Sequence, residues 1–386
     1  MGAGGGSREI GRGLGLNEAV CGGVLCREDA CVPKRLPKIV LWTQVAGIAL
    51  LAGCGGGQGS ATGGGGGQPL AAPQMVFMYN ATGGYAPPGQ SSIPWELFVM
   101  NLDGTGRRQL TNDGKFKFLP HFSPDGSKIV YTKFAVGGYG ASDAKMDIFV
   151  YDLASGKDTQ LTFLGNATQG AWSPDGTRIV YNFYQNNGLT IMNADGSNAV
   201  PLGQPSGALD DMQWADPAWS SDDWILFVVA QTINSCYKVR VDKIRPDGSE
   251  RTQVTDGGND CTPAGYEQSG DADPGWSPDA KTIYSSRGFA ARPANSMIGT
   301  ERKLYSFSSD AWFVGKTETD LSLPSEPSCI EGVPKASPDG TRVLLFRLCF
   351  DVTPNTSGIY VTDTAGSYRT FITPGFGPDW NPAYKP

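Results

Sequence analysis

The chain has 386 residues, of which 31 are Lys or Arg and 38 are Asp or Glu, for a formal net charge of −7. An acidic balance with no basic run excludes the electrostatic footprint of a nucleic-acid binder. The only histidine, His121, excludes a multi-histidine metal site or a histidine relay.

Residues 1–31 are Gly-rich, carry Cys21, Cys26 and Cys31, and show no periodic pattern. With no fourth Cys or His nearby, these cysteines do not complete a zinc tetrahedron. Lys34, Arg35 and Lys38 then precede an apolar run from Ile39 to Ala52, closed by Leu51-Ala52-Gly53-Cys54. A basic region, a short apolar stretch and small residues make an export signal. The run is short for a transmembrane helix. Its last four residues resemble a bacterial lipobox, which implies acylation of Cys54 as the mature N-terminus; the plainer alternative is an ordinary signal with a chance Cys. On this reading translation starts near Val32 or Leu36, residues 1–31 are a non-native upstream extension and 32–53 are the signal peptide. Residues 54–74 form a Gly-rich tether with a reach of roughly 25 Å. The acyl chain supplies the membrane affinity, on the periplasmic side or at the cell surface.

From residue 75 to 386 one pattern recurs. Ser123-Pro124-Asp125-Gly126 follows Phe122, and Ser173-Pro174-Asp175-Gly176 follows Trp172. Degraded copies are Ser220-Ser221-Asp222-Asp223 after Trp219, Ser277-Pro278-Asp279-Ala280 after Trp276, and Ser337-Pro338-Asp339-Gly340 after Ala336. Trp380-Asn381-Pro382 is a truncated sixth copy. The serines lie 50, 47, 57 and 60 residues apart, and Asn381 is 44 further on. Such a period means stacked supersecondary units. Pro presets φ at the second turn position, Asp caps the local backbone and Gly permits the exit geometry. Lys128 to Phe134 and Met146 to Leu153 follow as strands, with Asp158 to Thr162 as a fourth. Asp103-Gly104, Asp195-Gly196 and Asp247-Gly248 mark tight hairpins. Each unit is therefore a four-stranded antiparallel blade. Met75–Tyr79 is a second strand lacking a first, and Trp380–Tyr384 a first strand lacking a second. Pairing the two closes a six-bladed, all-β propeller and removes its open edges.

These residues resemble the TolB-like propeller family, whose repeats carry Pro-x-Trp-Ser-Pro-Asp-Gly. The likeness covers roughly residues 75–384. It implies the fold; TolB itself carries an α/β domain where this chain has its Gly-rich linker, so TolB's particular task does not follow.

Four cysteines remain beyond the anchor, and an even number in an exported chain suggests disulfides. In a propeller the inner connections and the links between blades emerge on one face, which favours local pairs, Cys236–Cys261 and Cys329–Cys349. That same face carries the long loops Ala81–Trp95, Ala135–Lys145, Gly203–Ala215, Asp256–Ala272, Gly288–Arg302 and Ser322–Gly332. Long loops on a rigid scaffold are where recognition sits. They offer Tyr85, Trp95, Tyr139, Trp214, Tyr266 and Phe289, with Arg287 and Arg292 nearby, as a candidate binding face. The plainer alternative for each aromatic is packing of its own loop.

Asp216 and Asp273 each stand three positions before a blade's Trp, near Asp210, Asp211 and Asp271. A hard cation takes such oxygens, but capping by Asp before Pro accounts for them as well, and no metal or other cofactor is expected. Catalytic machinery is scarce. Gly-x-Ser-x-Gly is missing, and Ser142-Asp-Ala-Lys145 lacks the helical context of a Ser-x-x-Lys site. Propellers of this kind precede a hydrolase domain in some peptidases, for which no room is expected before Pro386. Two functions follow. One is a non-catalytic, lipid-anchored propeller that binds a protein or envelope component through its long-loop face. The other is a glycan-active enzyme, a hydrolase or lyase, with paired carboxylates at the channel mouth.

Overall fold

The structure is a computed structural model that describes residues 73–80, 94–137, 143–183, 188–202, 213–233, 236–255, 270–290, 300–309, 318–323, 329–349 and 357–384. Among these there is no helix. The Ser-Pro-Asp-Gly turns explain the strand order. In each, the Ser Oγ accepts the backbone N–H five residues on, as from Lys128 and Arg178, and donates to the Asp, as Ser173 does to Asp175 at 2.6 Å. The Asp accepts the next backbone N–H but one, which locks the reversal.

The strands fall into antiparallel quartets. β1 (Met75–Tyr79), β2 (Glu96–Met100) and β3 (Arg108–Gln109) join β24 (Phe376–Trp380) in the first. β4 (Lys117–Phe122), β5 (Lys128–Val136), β6 (Lys145–Asp152) and β7 (Asp158–Gln160) form the second. β8 (Ala167–Trp172), β9 (Arg178–Phe183), β10 (Gly188–Asn193) and β11 (Val200–Pro201) form the third. The fourth holds β12 (Gln213–Trp219), β13 (Ile225–Ile233), β14 (Cys236–Ile244) and β15 (Thr252–Gln253), and the fifth β16 (Gly270–Trp276), β17 (Thr282–Ala290), β18 (Thr300–Ser308) and β19 (Thr319–Asp320). β20 (Cys329–Ala336), β21 (Arg342–Cys349), β22 (Gly358–Asp363) and β23 (Thr370–Thr373) complete the sixth. Single parallel pairs, Val239 with Gly270 and Arg302 with Ile330, fuse the last three quartets into one sheet.

β24 lies antiparallel to β1, with Met75 opposite Trp380 and Met78 opposite Phe376. The paired segment runs from Phe376 and ends at Trp380, whereas the sequence points to Trp380–Tyr384. The reason is local: Asn381 takes the place of the turn Ser, its Oδ1 accepts the Ala383 N–H at 3.0 Å, and the chain reverses there.

Apolar clusters fill the junctions between successive quartets. Val130 and Ile148 of the second meet Trp172, Ile179 and Tyr181 of the third. Leu226 and Val241 of the fourth meet Ile283 and Phe307 of the fifth. Leu344 and Ile359 of the sixth meet Met75, Phe77 and Trp380 of the first. Sheets covered on both faces give near-continuous apolar strands such as Ile225-Leu-Phe-Val-Val229. The first strands also touch in series: β24 with β4, β4 with β8, β8 with β12, β12 with β16, β16 with β20, and β20 with β24.

Candidate functional site: the polar cluster on the first strands

Every first strand carries one left-handed residue. Leu119, Gln169, Asp216, Asp273, Val333 and Gly377 have φ from 45° to 58°. Each lies within a register shift against the neighbouring strand, which is a β-bulge. Left-handed backbone at bulky residues costs of order 1 kcal/mol or more apiece and persists only where the surroundings over-determine it. Two positions further on stand His121, Ala171, Ala218, Gly275, Lys335 and Asp379. The next residue is Phe, Trp or Ala. Where it is Trp, the indole commonly pins the preceding quartet: Trp172 Nε1 donates to His121 O at 3.2 Å, Trp276 to Ala218 O at 3.0 Å and Trp380 to Lys335 O at 2.8 Å.

The charged members of this set come together. His121 Nδ1 lies 3.6 Å from Asp379 Oδ2, and both side chains are largely buried. The same Asp379 oxygen accepts the Phe122 N–H at 2.9 Å. Burial pushes the His121 pKa down, the Lys335 ammonium adds to this, and Asp379 opposes both. Burial also lowers the Lys335 pKa, against the pull of Asp379, Asp273 and Asp216. Three carboxylates thus act electrostatically on one ammonium.

Asp216 and Asp273 have protein partners. Gln169 Nε2 donates to Asp216 Oδ1, and Gln169 Oε1 accepts the Asp216 N–H at 3.2 Å. Asp273 Oδ2 accepts Ser286 Oγ at 2.8 Å. Among the described residues no group of three or more His, Cys, Asp or Glu is placed to hold a metal ion. Lys335 and Asp379 were not singled out from sequence. The signal was available, because both occupy the His121 slot of the repeat.

The proposed face is covered in part. Trp95 is half-buried and meets Phe376 edge-on at 6.5 Å. Arg287 is turned inward. Its guanidinium donates to the fully buried Asp271 at 2.7 Å and to Glu318 at 2.9 Å, and stacks 4.6 Å from the Tyr305 ring. Burial pushes the Asp271 pKa up, which the Arg287 guanidinium opposes. Both residues are packed structural groups. Trp214 lies in β12, Phe289 in β17 and Cys236 at the start of β14, and only their backbone is described. Cys54, Tyr85, Tyr139, Ser142, Asp210, Asp211, Cys261, Tyr266 and Arg292 lie outside the described residues, and with them the Cys236–Cys261 pairing. Cys329 and Cys349 are opposite each other on β20 and β21 and are joined as a disulfide.

This arrangement defines an all-β protein of the propeller type. No family model matches the chain. It is 30% identical over 110 residues to the Tol-Pal system protein TolB of Anaeromyxobacter dehalogenans (strain 2CP-C), a match over 28% of this chain and 24% of that one. The chain thus aligns with about a quarter of the length of the curated relatives it matches. Among solved structures, TolB from Acinetobacter baumannii superposes with a TM-score of 0.54 at 17% identity, over 80% of this chain and 66% of that one. Kuenenia stuttgartiensis hydrazine synthase superposes with a TM-score of 0.57 at 16% identity, over 81% of this chain and 47% of that one. Likenesses this distant establish fold alone. The chain has the fold of a TolB-like propeller.

Proposed function

We propose that this chain is a non-catalytic, six-bladed propeller of the bacterial envelope that binds a protein partner through its long-loop face. The observation that carries this reading is the match to a Tol-Pal system protein, in a chain whose repeats build the same fold. The series of contacts from β24 round to β20 and back supports a ring of six blades, and β24 on β1 supports its closure by the tail. An acyl anchor on Cys54 would hold the ring near the membrane, on the periplasmic side or at the surface. Binding without catalysis suits the polar cluster. His121 is held neutral by burial, and Asp216 and Asp273, which a glycan enzyme would need for its substrate, are engaged with Gln169 and Ser286.

The test is cross-linking in cells followed by purification from the membrane fraction. Shortening Ala135–Lys145 or Gly203–Ala215 is expected to remove a specific cross-linked protein. Altering the Asp103-Gly104 or Asp247-Gly248 turns is expected to leave it. A cross-link that ignores the loops and follows the turns overturns the choice of face. Cys54→Ala should release the protein from the membrane fraction, and retention of that variant overturns the anchor.

A further inference from the structure

We propose that the opposite, tight-turn face carries a second site, a groove between the second and third quartets that takes an arginine side chain of a partner peptide. The argument comes from an internal comparison. Arg178 and Arg342 each follow a Ser-Pro-Asp-Gly-Thr turn and begin a second strand. Each lays its guanidinium over the tryptophan of the next quartet, Arg178 4.9 Å from the Trp219 ring centre and Arg342 5.4 Å from that of Trp380. Lys128 occupies the same place after Ser-Pro-Asp-Gly-Ser. It turns back to its own quartet, where its Nζ donates to Asp152 Oδ2 at 3.1 Å. Among the described residues no cation stands over Trp172, the indole that Lys128 would cover.

At that position the surface opens into a groove of about 780 Å³, with Trp172 and Leu161 in its wall. This is room for a guanidinium and the residues on either side of it. The rim is anionic. Asp125, Asp152, Asp175 and Asp195 line the groove against only two ammonium groups, Lys128 and Lys157. Hydrogen bonds from Ser123, Ser155, Ser173 and Ser197 hold the four carboxylates below the usual range, so all are charged at neutral pH. Lys128 is already spent on Asp152. Trp172 is 7 % exposed, so an incoming planar cation meets only the strip of indole face that reaches the groove, with carboxylates beside it, a smaller version of what the chain supplies to Trp219 and Trp380 from within. Arginine fits better than lysine because its fork can meet a carboxylate while its plane faces the ring.

The groove lies on the other side of the ring from the long loops, so its test is separate from that of the proposed function. A fluorescein-labelled tri-arginine peptide is titrated into the full chain by anisotropy, with tri-lysine as the control. Tri-arginine is expected to bind several-fold more tightly than tri-lysine. Lys128→Arg conserves charge and places the chain's own guanidinium beside Trp172, so it should weaken tri-arginine at least tenfold. Lys157→Glu should tighten it several-fold. Thermal melts of both variants, expected at the wild-type position, separate lost binding from lost folding. Absence of tri-arginine binding, equal binding of tri-lysine, or binding untouched by both substitutions overturns the site, the last by showing diffuse attraction to an acidic chain.

Discussion

Lys117 and Lys133 stand directly opposite each other on β4 and β5, both with buried side chains, and one carboxylate, Asp113, touches both ammonium groups. Like charges directly across a ladder repel. Here each has a further partner. Lys117 Nζ lies 2.6 Å from Glu96 Oε2, and Lys133 Nζ bonds Asp158, which also accepts the Tyr131 hydroxyl at 2.6 Å. Glu96 belongs to the first quartet, so this chain of charges ties it to the second.

Removing one member should therefore be costly. Glu96→Gln leaves the fully buried Lys117 with only the half-exposed Asp113. Breaking a buried pair from one side costs about 3–5 kcal/mol. A urea melt should show a clear fall in midpoint for Glu96→Gln. The double change Glu96→Leu with Lys117→Met should recover much of it, because an apolar pair needs no counter-charge. A double variant as unstable as the single one would mean that shape, and not charge, holds the junction.

His121 predicts a pH dependence. Its folded pKa lies below the ordinary value of 6.5, so the unfolded chain binds the proton more readily. Stability from this group is complete above pH 6.5 and is lost as pH falls through the folded pKa. The turn carboxylates, also lowered, act at still more acid pH. Melting temperatures from pH 7.5 to about 5 should fall for the wild type and fall less for His121→Asn. With one histidine in the chain, equal slopes would leave His121 no part in the effect.

Much of the fold was legible because it is written in turn chemistry. Ser, Pro, Asp and Gly act within five residues, so Ser173-Pro-Asp-Gly176 reports its geometry without help from distant parts of the chain. The bulges were not legible. Leu119, Gln169, Asp216 and Val333 adopt a backbone that none of them favours, and packing among the first strands sets it. Asp216 and Asp273 looked like strand-entry caps or cation ligands for the same reason. Arg287 looked like a surface cation because its partners, Asp271 and Glu318, are 16 and 31 residues away. Lys335 and Asp379 act on each other only through the assembled first strands, although their shared slot in the repeat was visible.

The tail's docking depends on one glycine. Gly126 has φ +69°, and a Cβ there would stand 2.2 Å from Asn381 Oδ1 and 2.8 Å from the Ala383 methyl. Gly126→Ala adds strain in the turn and pushes the chain end away from the second quartet. Overpacking of this kind costs roughly 1–3 kcal/mol. Limited proteolysis should cut the variant within residues 376–384 faster than the wild type, while the β8–β9 turn stays protected. Equal cleavage of the tail would show that β24 is held by β1 alone.

The disulfide should act locally. Cys329 and Cys349 are 20 residues apart and sit at the open end of the β20–β21 ladder. Closing a loop of that size contributes about 3 kcal/mol in the chain-entropy account. Two rungs inward, Glu331 stands opposite Arg347 at 3.3 Å, and Arg369 from the same quartet reaches Glu331 at 2.6 Å. That buried triad should stop any fraying that follows loss of the covalent link. In Cys329→Ser with Cys349→Ser, amide hydrogen exchange is expected to speed up at Ile330 and Leu348 and to stay slow at Leu344 and Leu345. Faster exchange through the whole quartet would instead make the disulfide a global support and the triad a bystander.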